Sequence, residues 1–157
     1  IVMPAFGTLE ETDHVPGHEL VHAFQYDIAR ASQEQSEGGL GTGLERLPLW
    51  FVEGMAEYLS IGHVDPHTAM WIRDAARGED TLPAIDDLDS PDYFPYRWGH
   101  ALWAFIGGRY GDRVIGNMLR SGAGRDGYRG AFTRVLGVSE QELSQAALKQ
   151  AKQSAPV

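Results

Sequence analysis

The chain opens on an apolar run, residues 1–6, that stops at Gly7. This pattern predicts one short strand, with any partner strands lying upstream. Beyond it, apolar positions fall into segments bounded by helix-starting and helix-stopping residues. Thr12 or Asp13 caps a first helix with Pro16 in its first turn, running to about residue 32. Residues 33–46 are polar and glycine-rich and predict a loop. A second helix is predicted over 48–61, and a third between Asp65-Pro66 and Gly78. Residues 79–92 read as an acidic loop anchored by Leu82, Ile85 and Leu88. Four more helices are predicted, over 96–109, 112–120, 128–136 and 139–153, the last opened by a capping box of Ser139 and Glu142. The expected fold is therefore α+β and mainly α, with a remnant N-terminal strand.

Composition narrows the function. A chain of 157 residues, 43% apolar and 22% charged, suits a single globular domain spanning 1–157. It begins Ile1-Val2-Met3-Pro4 without an initiator Met, which predicts a piece of a longer chain, with neighbouring domains as candidate partners. There is no cysteine, so a metal here is held by His and carboxylates. The net charge of −9 argues against nucleic acid or an anionic membrane as partner. No apolar stretch is long enough to span a bilayer.

The segment HELVH at His18–His22 sets two imidazoles one helical turn apart on one face. That spacing can fill two corners of a zinc tetrahedron, with Glu19 placed to reach a water rather than the metal. Two surface histidines on a helix would look the same, so a third ligand decides the matter. The second helix reads LPLWFVEGMAEY, with Glu53 and Glu57 one turn apart. Trp50, Phe51, Met55 and Leu59 flank them and predict a largely buried helix. Buried carboxylates need a cation. An arginine partner for Glu53 is the plain alternative. A zinc ion held by His18, His22 and Glu53 leaves a fourth position open, with Glu57 accepting a ring N–H from a ligand histidine.

HELVH followed by WFVEGMAEY resembles the gluzincin zinc metallopeptidases of the peptidase MA superfamily, the thermolysin and M1 aminopeptidase group. The resemblance implies a zincin-like catalytic domain, with His18, His22 and Glu53 as zinc ligands, Glu19 as general base and Glu57 behind the ligands. PYRWG at Pro95–Gly99 is similar to the Tyr-x-x-Gly segment of M1-type enzymes, whose tyrosine binds the oxyanion. That role would pass to Tyr96; the plain alternative is an ordinary core or cap tyrosine. The chain departs from the family in the longer spacing between His22 and Glu53, absorbed by the glycine-rich loop, and in lacking a GxMxN-type segment. The implied activity is zinc-dependent hydrolysis of a peptide or protein substrate, and the resemblance leans towards an extracytoplasmic location. The alternatives are a zinc-retaining scaffold without catalysis and an unrelated helical protein without metal.

The remaining polar residues carry weaker expectations. His14 reads as loop or cap, because Pro16 and Gly17 interrupt the stripe. His63 and His67 are expected exposed, and Gln25 is expected to pack on the helix face near the site. His100, one turn after Tyr96, is a candidate substrate contact, and Arg97 a candidate partner for a substrate carboxylate.

Overall fold

The structure, a computed structural model, describes residues 7–36, 43–78 and 82–154. Among these residues there are seven α-helices: α1 Leu9–Ser36, α2 Leu49–Ile61, α3 Pro66–Arg77, α4 Pro95–Tyr110, α5 Arg113–Gly122, α6 Gly127–Ala131 and α7 Glu140–Ser154. Short 3-10 turns at Leu44–Arg46 and Ile85–Asp89 tie down the connections, and a π turn, Phe132–Leu136, continues α6.

The expected α+β class is corrected: the fold is all-α, with no strand among the described residues. The strand expected over 1–6 lies outside them. The physical reason is that the core closes by helix on helix. Trp50 and Phe51 of α2, Trp103 and Ile106 of α4, Met118 of α5 and Phe132 of the π turn are fully buried in one core. No helix among the described residues is long and apolar enough to cross a membrane.

Most predicted boundaries recur, with instructive shifts. α1 starts at Leu9, so Pro16 sits in its interior, where it removes the hydrogen bond to residue 12. Contacts from His14 onward hold the helix through that break. Asp65 caps α3 by accepting from the Thr68 amide at 2.7 Å. At α7 the Ser139 amide donates to Glu142 Oε2 at 2.8 Å, and the Glu142 amide donates to Ser139 Oγ at 3.2 Å. Leu59, expected among the apolar residues around the α2 carboxylates, points to solvent.

α2 and α4 approach each other backbone to backbone. A Cβ added at Gly54 would stand 2.3 Å from the Gly99 carbonyl carbon, and one at Gly99 would stand 2.2 Å from the Trp50 carbonyl oxygen. Both obstacles are backbone, so neither can yield by rotating. Trp103 locks the same pair by donating its indole N–H to the Phe51 carbonyl at 3.0 Å. This approach sets the N-terminal turn of α4, with Tyr96 and Arg97, beside the carboxylates of α2.

Gly99→Ala is expected to lower unfolding free energy by about 1–3 kcal/mol through overpacking. Urea unfolding followed by circular dichroism checks this; an unchanged midpoint would contradict the backbone contact.

Candidate metal centre

α1 and α2 run antiparallel, since His14 meets Glu57, His18 meets both Glu53 and Glu57, and Gln25 meets Val52. Side chains four residues apart on α1 therefore face side chains four residues apart on α2. The long spacing between His22 and Glu53 does not disturb this pairing, because the helices rather than the intervening loop set the geometry.

Three donor atoms converge. His18 Nε2 lies 3.1 Å from Glu53 Oε2, His22 Nε2 lies 3.2 Å from the same oxygen, and the two nitrogens are 3.0 Å apart. Bonds of about 2.0–2.1 Å to zinc require tetrahedron edges of about 3.3 Å. The observed triangle is slightly smaller, so a small outward shift of three side chains accommodates the ion. Among the described residues His18, His22 and Glu53 are one of two clusters with metal-ligand character. The other, His14, His18 and Glu57, shares His18 with it and has the Arg97 guanidinium 3.3 Å from Glu57 Oε2, a cation that disfavours a second one. On donor chemistry and spacing, the first cluster fits zinc.

The far side of each imidazole is also held. Gln25, only 1% exposed, accepts from His22 Nδ1 at 2.7 Å and donates to the Val52 carbonyl at 2.9 Å. With Nδ1 donating to Gln25, Nε2 is the ring nitrogen turned to Glu53, to which it donates when the ring is protonated. His18 Nδ1 lies 3.1 Å from Glu57 Oε1, an ion-pair distance that misses the angle of a hydrogen bond. Glu57 also accepts from His14 Nε2 at 3.0 Å and from Arg97 Nη1 at 3.3 Å. Arg97 in turn reaches Asp65 Oδ2 at 3.0 Å.

The electrostatics follow from these contacts. Burial opposes charge on His18, but Glu53 and Glu57 outweigh it and raise its pKa from 6.5 to about 9. Burial likewise opposes charge on Glu53, and the two imidazoles outweigh it, lowering its pKa from 4.5 to about 2. Glu53 is also the main cause of the raised His22 pKa. The Tyr96 ring stacks on His18, centroids 5.8 Å apart, and burial followed by the Glu53 charge raises its pKa, so its hydroxyl keeps its proton. Glu19 is half-buried beside His18, close enough for its charge to act on Tyr96.

Several expectations need correction. His14 is helical and bonded to Glu57 rather than a loop or cap residue. His100 does not face the cleft: it is 1% exposed, and its Nε2 lies 2.8 Å from the Gly62 carbonyl, where it secures the end of α2. The helix crossing at Gly54 and Gly99 carries α4 beneath α2 within that one turn. Arg97 Nη1 pairs with Glu57 and Asp65 rather than standing free towards a substrate. Gln25 does more than pack. Its signal was its place three residues after His22, on the ligand face. His63 and His67 are exposed, as expected.

Compared with known proteins, the chain matches no family model, no curated protein and no solved structure.

A pH window follows for the metal-free protein. His18, raised from 6.5 to about 9, contributes stability fully below pH 6.5 and loses it as pH rises through about 9. Glu53, lowered from 4.5 to about 2, contributes above pH 4.5 and loses it as pH falls through about 2. Thermal melts of chelator-treated protein are therefore expected to peak between pH 4.5 and 6.5 and decline towards 9. Saturating zinc is expected to reverse the slope above pH 6.5, because zinc takes the neutral imidazoles and releases protons. A metal-free melting temperature that stays flat from pH 6.5 to 9 would contradict the His18 pairing.

Proposed function

We propose that this domain is a zinc-dependent peptidase of gluzincin type, with His18, His22 and Glu53 holding the metal. The observation that carries the reading is the triangle of two Nε2 atoms and one carboxylate oxygen, with edges of 3.0 to 3.2 Å. Each imidazole in it is backed on its other nitrogen by a polar group. A hydrogen-bonded surface cluster has no need of such backing, whereas a metal ligand does.

Bound zinc supplies Lewis acidity, lowering the pKa of a water and polarising a carbonyl. The rest is done by the chain. Glu19 takes a proton from the attacking water onto its carboxylate and delivers it to the leaving amine. Tyr96 keeps its hydroxyl proton and donates a hydrogen bond to the oxyanion. Gln25 and Glu57 hold the rings of His22 and His18 so that their Nε2 lone pairs face inward. Arg97 and His14 keep Glu57 charged and in place. With a net charge of −9, the partner is a peptide or protein rather than a nucleic acid.

Elemental analysis is expected to give about one zinc per chain. Glu19→Gln is expected to retain zinc and lose about 10²–10⁴-fold in kcat on a peptide library. Glu53→Ala is expected to lose the metal itself. Zinc retained with no cleavage by the parent would support the scaffold reading instead, and full activity in Glu19→Gln would sink the mechanism.

A further inference from the structure

The histidines of α1 form a longer stripe than the metal centre uses. His14, His18 and His22 recur at helical spacing, so their side chains stand one above another on one face. Glu53 and Glu57 recur at the same spacing on the antiparallel α2. Two donor sets result, offset by one helical turn: His18 and His22 with Glu53, and His14 and His18 with Glu57. In the second set, as in the first, one ligand atom from each residue lies within 4.8 Å of the others. His14 Nε2 stands 3.0 Å and His18 Nδ1 stands 3.1 Å from the same oxygen, Glu57 Oε1. By residue type and spacing the second set is a copy of the first.

The two sets differ in the cation beside them. Among the described residues, Glu53 has only the two imidazoles as ion-pair partners. Glu57 also has Arg97, whose Nη1 lies 3.3 Å from Oε2, the other oxygen of the carboxylate. The same nitrogen lies 3.0 Å from Asp65 Oδ2, and Asp65 is itself fixed at the start of α3 by the Thr68 amide at 2.7 Å. A guanidinium stays charged across the working pH range of proteins, and two carboxylates hold this one in place. A divalent ion on Glu57 Oε1 would face it across a single carboxylate, where partial burial weakens screening by water and salt.

We propose that Arg97 restricts the centre to one ion, its guanidinium standing in for the metal of a latent second site made by His14, His18 and Glu57. The inference rests on the zinc part of the proposed function, not on catalysis, and adds the residue that sets how many ions are bound and where. Without it His18 would be offered to two ions, through Nε2 to one and through Nδ1 to the other. An ion in the second set would take Glu57 away from the back of His18 and leave the first set without that support. The latent set is also the weaker of the two. His22 Nδ1 donates to Gln25, whereas His14 Nδ1 is buried with no hydrogen-bond partner among the described residues.

A rescue experiment tests the assignment. Zinc stoichiometry and affinity are measured by elemental analysis and chelator competition on four proteins: the parent, Glu53→Ala, Glu53→Ala with Arg97→Gln, and that double variant with His14→Ala added. Circular dichroism confirms that each is folded. The parent is expected to bind one ion, and Glu53→Ala to bind about a hundredfold more weakly or not at all. Removing the guanidinium as well is expected to recover about tenfold or more of that loss, with one ion per chain, and His14→Ala is expected to cancel the recovery. Arg97→Lys in place of Arg97→Gln keeps the cation and is expected to recover nothing. Arg97→Met, neutral and of similar length, repeats the measurement if the glutamine variant does not fold. No recovery in a folded neutral variant, recovery that survives His14→Ala, or two ions on the parent would overturn the role of Arg97 and leave the first site standing. A parent without zinc whose double variant binds one ion would keep the second set and remove the first. Zinc on neither would remove both.

Discussion

The architecture depends on one steric fact: α2 and α4 meet with no side chain between them. At Gly54 and Gly99 each backbone occupies the space a Cβ would need. Close-packed interiors transmit such a constraint rather than absorb it. The first turn of α4 is carried to the level of Glu53 and Glu57, so Tyr96 stacks on His18 and Arg97 reaches Glu57. One turn further on, His100 is already under the end of α2. A wider helix separation would undo the Tyr96–His18 stack and the carboxylate network together.

Electrostatics then decides which side chains stay put. Glu57 is nearly buried, and a lone buried carboxylate is costly. Here it is surrounded by His14, His18 and Arg97, and Arg97 is shared with Asp65, the cap of α3. Four helices therefore meet at this small ionic group. Breaking one member exposes the others to an uncompensated charge, which fixes geometry more firmly than any single pair does.

Much of the site was legible in the sequence because helical spacing is a local property. The turn between His18 and His22 and the turn between Glu53 and Glu57 require no knowledge of the fold. What escaped depended on how helices meet. Pro16 signals a helix break that would leave His14 outside α1, yet tertiary contacts carry the helix through it. Proximity to Tyr96 in sequence suggests a cleft position for Arg97 and His100, whereas the Gly54–Gly99 crossing turns Arg97 to Glu57 and Asp65 and His100 to the Gly62 carbonyl. Gln25 showed its spacing but not its partner, the Val52 carbonyl on another helix. The α+β expectation leaned on six residues outside the described structure, while the all-α core is built from those after them.

The ionic group has a consequence for how the site is filled. With both imidazoles protonated, His18, His22 and Arg97 stand against Glu53, Glu57 and Asp65, and the charges cancel. Exchanging two protons for one divalent ion leaves the sum at zero again. The frame behaves as an ion exchanger whose two forms present the same net charge to their surroundings. On the proposed reading the helices would need no rearrangement to accept a divalent ion, and the frame would stand assembled before one binds.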